Sequence, residues 1–183
     1  MGKRIQYVDD DKSSVKLLLK LRTPSLAIGL LLGILLSFVT SRFEELLSQE
    51  IRIAFFIPFI VYMADAVGTQ TENVYVRDLK SGKASFKKYL AKEAALGVIL
   101  GAISSLVVFI ITTLWFNSFK LTLAISLAMF IAIAVAPLVA LIVVEIFQLE
   151  HSDPAVGSGP IATVIQDTLS ILIYGLVASL ILL

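Results

Sequence analysis

The chain contains no cysteine and a single histidine, His151. Disulfides, thiolate metal sites and thiol nucleophiles are therefore excluded, and one imidazole cannot build a histidine metal cluster. There is no phosphate-cradling GxxxxGK[ST] loop, which excludes an intrinsic ATP-driven pump. Lys and Arg are absent beyond Lys120. The opening stretch MGKRIQYVDDDKSSVKLLLKLR is too polar for the apolar core of a signal peptide. No internal repeat is visible, so an inverted-repeat transporter within one chain is not expected. Apolar residues, in contrast, are abundant. They make up 58% of 183 residues, with a mean hydropathy of +0.94, against about 45–50% in soluble domains.

These residues come in blocks, and five blocks approach the roughly 20 residues that cross a bilayer. They cover about 24–41, 53–70, 94–116, 121–144 and 161–183. The expected fold is an all-α polytopic membrane protein: an N-terminal cytoplasmic segment over 1–20, then a five-helix ion-transport domain over 21–183. Within the first segment, VKLLLKL has the pattern of a short amphipathic surface helix. The residues between Gln70 and Ala94 are expected to include a helical extension.

Basic residues before, between and after the spans alternate. Lys3, Arg4, Lys12, Lys16, Lys20 and Arg22 precede the first; only Arg42 and Arg52 follow it. Arg77, Lys80, Lys83, Lys87, Lys88 and Lys92 lie between the second and third, and Lys120 alone follows the third. The positive-inside rule then puts the N-terminus in the cytoplasm and the C-terminus outside, in a plasma-membrane protein. The loop between the fourth and fifth spans has no basic residue and is assigned to the cytoplasm by counting.

The last span carries one acid, Asp167. A charge near the bilayer centre costs roughly 2.5–3.5 kcal/mol even on insertion scales, and an intramembrane acid is by default functional. Steps of four back from Asp167 reach Thr163 and Gly159 on one helical face. Gly157 and Gly159 suggest a tight turn, with Pro160 in the first helical turn; Asp167 would then stand roughly 9 Å into its helix. The second span places Asp65, Thr69 and Glu72 on one face, thinned by Gly68, with Asn73 beside them. Oxygen-only walls of this kind suit a hard cation such as Mg²⁺ or Ca²⁺. Each acid also has a plainer reading: Asp167 and Asp65 as polar helix contacts, Glu72 and Asn73 as a solvated helix end. Glu93 is expected to pair with Lys92 at the surface, Pro58 and Pro137 to make packing kinks, and Gly97 and Gly101 to form a GxxxG helix contact.

FIPFIVYMADAVGTQTENVYVRDLKSGK resembles the second transmembrane helix of the MgtE family of magnesium transporters, and DPAVGSGPIATVIQDTLSILIY its last. RTPSLAIGLLLG and KEAALGVILGAI are similar to the first and third. The resemblance runs from about Leu21 to the C-terminus. It implies a homodimer with a central pore lined by the second and fifth helices. Asp167 of both subunits would hold a largely hydrated Mg²⁺, with Thr163 and Gly159 on the wall below. Where that family has GGNAG, this chain has Ala64, Asp65, Ala66, Val67 and Gly68, so an acid has appeared on the wall. The fourth span also departs, since Pro137 sits far from the family's usual proline pattern. The resemblance covers that family's transmembrane part, and its cytoplasmic N-terminal and CBS domains are not expected in this chain. Regulation is then expected from a separate protein, the N-terminal segment or the pore itself.

The sequence thus points to a divalent cation channel or transporter in the lipid bilayer, with Mg²⁺ the expected ion by resemblance and Ca²⁺ or Mn²⁺ equally suited by ligand chemistry. Asp167, Thr163, Gly159, Asp65 and Thr69 are the expected ion-facing residues. No nucleic-acid partner is expected. Other readings are exchange against Na⁺ or H⁺, a non-transporting membrane subunit, and an intramembrane aspartyl protease with Asp65 and Asp167 as its dyad. The last needs two acids that share a proton, and the chain lacks the GxGD motif of such enzymes.

Overall fold

A computed structural model describes residues 11–183. Every regular element among them is helical. Helix α1 spans Val15–Ser41, α2 Glu44–Gln49, α3 Ile57–Lys80, α4 Phe86–Phe116, α5 Phe119–Leu149 and α6 Pro154–Leu182. A 3₁₀ segment, Ile51–Phe56, leads directly into α3. Five helical segments are long and apolar enough to cross a bilayer: α1, Ile51–Lys80, α4, α5 and α6. The expected all-α, five-span architecture is therefore present.

The central helix is α5, which packs against α3, α4 and α6, while α1 packs along α6. In its most apolar stretch α5 is 56% buried, against 6% for α1. An all-apolar helix must be covered by protein or lipid, and these two take opposite solutions. Gly97 and Gly101 form the expected close contact. A Cβ there would stand 2.7 Å from the Ala134 carbonyl oxygen and 2.8 Å from that of Phe130, so α4 and α5 meet backbone to backbone.

Helix ends segregate into two sets. At one end the α1–α3 and α4–α5 connections meet: Phe56 packs edge-on against Trp115 and Phe116, and Arg52 lies over the Phe116 ring. At the other end Tyr75 of α3 packs on Tyr89 of α4 and donates to Glu145 of α5 at 2.5 Å. Ser158 of α6 reaches Glu72 of α3 there. The α5–α6 connection thus shares an end with the basic α3–α4 connection, although it carries no basic residue itself.

Several local expectations change. Helix α1 starts at Val15 with Ser14 as its N-cap, so VKLLLKL continues into the span rather than forming a separate surface helix. Residues 1–10 of the expected N-terminal segment lie outside the described residues. Pro58 occupies the first turn of α3, where a missing N–H costs nothing, and makes no kink. Pro137 is buried inside α5 against Gly97. Helix α6 starts at Pro154, N-capped by Asp153, which accepts from the Ala155 amide at 3.0 Å. Pro160, Gly157 and Gly159 are therefore inside the helix and make no turn. Asp-Pro supplies cap and first turn together, which stops the chain needing Pro160 for that purpose. Gly157 serves close packing instead, since a Cβ there would stand 2.2 Å from the Phe147 ring.

Candidate cation pathway

The facing surfaces of α3 and α6 carry the intramembrane acids. With α6 starting at Pro154, Asp167 lies thirteen residues along it, about 20 Å of rise, at the middle of the helix. The shorter depth expected from a later start does not hold. Thr163 and Gly159 lie one and two turns nearer the tyrosine end on the same face, and Asp167, Thr163 and Gly159 are all partly exposed. Pro160 has no N–H to offer the Val156 carbonyl, so this turn of α6 keeps a backbone acceptor outside the helical ladder.

On α3, Asp65 is partly exposed. Its Oδ1 is buried with no hydrogen-bond partner among the described residues. Thr69, one turn along, is partly exposed. Glu72 is buried at 9% exposure, not a solvated helix end, whereas Asn73 is exposed. The Ser158 hydroxyl lies 2.5 Å from Glu72 Oε1 and 2.6 Å from the Pro154 carbonyl. With one hydrogen it serves one of these acceptors at a time. A Cβ on Gly159 would stand 3.6 Å from the same Glu72 oxygen. The structure therefore brings Gly159 together with Glu72 across the α3–α6 contact.

Glu93 also departs from expectation. It accepts from the Thr71 hydroxyl at 2.7 Å, tying α4 to α3 rather than pairing with Lys92. A helix–helix polar contact shielded from water is worth more than an exposed ion pair. Sequence reading missed three further polar residues. Ser158 and Glu145 partner Glu72 and Tyr75. Gln166 is 2% exposed and has neither amide atom hydrogen-bonded among the described residues. A carboxamide in an otherwise apolar span was the available signal, overshadowed by the acid beside it. Among the described residues no three acids or histidines of one chain converge into a metal cage.

Comparison with known proteins gives this arrangement a context. The MgtE family model, described as a divalent cation transporter, matches residues 57–177. The chain is 35% identical to the magnesium transporter MgtE of Enterococcus faecalis over 162 residues, covering 87% of this chain and 36% of that protein. It is 29% identical to the MgtE of Bacillus subtilis over 156 residues, 84% of this chain and 35% of the other. With the MgtE of Thermus thermophilus the identity is 24% over 161 residues, 86% of this chain and 35% of the other. The chain thus spans about a third of the length of these relatives. A family match that runs from the first turn of α3 nearly to the end of α6 contains both acid-bearing faces, and the chain belongs to the MgtE family of divalent cation transporters.

Proposed function

We propose that this chain carries Mg²⁺ across a membrane through a path between α3 and α6, completed by a second copy of the chain. The observation that carries the reading is the position of Asp167: mid-helix, partly exposed, on a helix with no Lys or Arg. An isolated carboxylate at that depth calls for a cation from outside. Two such carboxylates across a homodimer axis, with Thr163 and Gly159 beneath, would grip an ion that retains most of its water. That suits Mg²⁺, which dehydrates reluctantly and favours octahedral oxygen shells. Binding of this indirect kind also lets the ion leave again. Asp65 and Thr69 would line the α3 side. The relatives named above are magnesium transporters by name, which favours Mg²⁺ over Ca²⁺ or Mn²⁺. The family is one of transporters and not of enzymes, so the protease reading is dropped. The plasma membrane, with the tyrosine end of the bundle in the cytoplasm, is the placement that fits the basic residues.

The test is Mg²⁺ uptake into proteoliposomes containing only this chain. Asp167→Asn keeps the size of the side chain and removes its charge. It is expected to abolish uptake while the protein still migrates as a dimer in detergent. Uptake at the wild-type rate by that variant would overturn the assignment of Asp167. No uptake by the folded wild-type dimer would favour a subunit that needs a partner or a counter-ion.

A further inference from the structure

Helix α6 lies between α1 on one side and α3 with α5 on the other, and Asp167 is its only charged residue. Between helices in lipid, burial of apolar surface does not select one rotation about the helix axis; close packing does. Three notches supply that packing. The Phe147 ring occupies the place of a Gly157 side chain, 2.2 Å from where its Cβ would stand, and the Phe43 ring that of Gly175, at 2.3 Å. Between these two the relation is reversed, with the knob on α6 and the notch on α3. Gln166 Oε1 lies 1.7 Å, its Cδ 2.6 Å and its Nε2 2.9 Å from where a Cβ on Gly68 would stand. Gly68 is buried and Gln166 is 2% exposed. The two ring-filled notches lie ten and eight residues from Asp167, about 15 and 12 Å of rise. Of the three, only the contact of Gln166 with Gly68 acts at the level of the acid.

We propose that Gln166 is a positioning residue for the cation wall: its carboxamide, seated in the Gly68 notch, keys α6 to α3 and holds Asp167 on the face that the ion meets. The inference rests on the reading of Asp167 as a cation ligand and adds what aims it. Successive residues of a helix are turned by about 100°, so fixing the azimuth of Gln166 fixes that of Asp167. The same holds on α3, where Thr69 follows Gly68. Each buried member of the key is thus followed by a partly exposed residue of the wall. A binding site demands aim within roughly 10–20°, far less than the turn between adjacent residues. Neither polar atom of the carboxamide has a hydrogen-bond partner among the described residues, so what the notch receives is volume. A flexible thioether of the same length fills it equally well; a methyl group does not reach it.

The experiment is thermal unfolding of the purified full chain in detergent, with MgCl₂ titrated against choline chloride at constant ionic strength. A cation that binds only the folded state raises the midpoint in a saturable way, and Asp167→Asn is expected to abolish that rise. Gln166→Ala empties the notch and should raise the half-saturating Mg²⁺ about tenfold or more, as loss of a residue that orients a metal ligand does. Gly68→Ala fills the notch, displaces the carboxamide and should do the same. Combined, the two should cost no more than either alone, because each removes the same contact. Gln166→Met should keep the wild-type half-saturation. A residue that merely packs would lower the metal-free midpoint in Gln166→Ala and leave the half-saturating Mg²⁺ in place; that result overturns the proposal. So does additivity of Gln166→Ala and Gly68→Ala, or a Gln166→Met variant that behaves as Gln166→Ala does. If Gly68→Ala does not fold, the comparison of Gln166→Ala with Gln166→Met decides alone. A rise absent from the wild type, or kept by Asp167→Asn, overturns the reading of Asp167 and this inference with it. A rise that depends on Asp167 and is indifferent to Gln166 overturns this inference alone.

Discussion

Glu72 and Ser158 show how one residue pair ties chemistry to packing. The carboxylate is buried at 9% exposure, and Ser158 is its hydrogen-bonding neighbour across the α3–α6 contact. A hydrogen bond to a charged group contributes about 1.5–3 kcal/mol, and leaving the acceptor buried without it costs at least as much. Ser158→Ala is therefore expected to destabilise the chain by about that amount, read as a lower unfolding midpoint in detergent. Glu72→Gln in the same background should recover part of the loss, because a neutral amide is cheaper to bury than an unpaired carboxylate. If Ser158→Ala leaves the midpoint unchanged, the contact is incidental. In sequence, Glu72 was visible as a polar residue on the Asp65 face, but its burial was not. That depends on Ser158 arriving from a helix distant in the chain, and no local pattern encodes that meeting.

At the scale of the helix, the GxxxG spacing is the feature that sequence carried most fully into structure. Gly97 and Gly101 lie against carbonyl oxygens of α5, and such backbone atoms cannot rotate away. Gly101→Ala is expected to push α4 from α5 and cost about 1–3 kcal/mol of overpacking. Gly33→Ala is the matched control, since nothing lies within 4 Å of its added Cβ. A thermal-unfolding comparison of the two in the same detergent checks this; equal midpoints would mean that the α4–α5 contact yields readily. The number and apolarity of the helices were legible because hydropathy sums over whole segments. Their starts were less so. Asp153-Pro154 and Pro160 both carry a helix-start signal, and the sequence offers no local means of ranking them; the cap accepted by Asp153 decides for the first. Moving that start by seven residues relocated Asp167 from near one end of its helix to the middle.

For the whole molecule, the decisive property is that the helix ends sort into two opposed sets, because each set has its own chemistry. One end gathers Phe56, Trp115 and Phe116 with Arg52, and of these Trp115 is the amphipathic aromatic that favours headgroup depth. The other gathers Tyr75, Tyr89, Glu145, Glu72 and Ser158, beside a connection flanked by Arg77, Lys80, Lys83, Lys87 and Lys88. Counting alone assigned the α5–α6 connection, which has no basic residue, to the basic end, and the Tyr75–Glu145 and Ser158–Glu72 contacts now hold it there physically. The proposed orientation, with the tyrosine end in the cytoplasm, applies the positive-inside rule to the bundle as a unit. The absence of cysteine makes this directly measurable, because each introduced thiol is the only one in the chain. Single Cys replacements of the exposed residues Ser81 and Ser152 are expected to react with an impermeant maleimide only after the cytoplasmic side is opened. Replacements of Ser48 and Lys120, exposed at the aromatic end, should react in intact cells. The reverse pattern would invert the molecule and place Glu72 at the external mouth. A split between Ser81 and Ser152 would be more serious, since no rigid bundle built on the Tyr75–Glu145 and Ser158–Glu72 contacts can present those two loops to opposite sides.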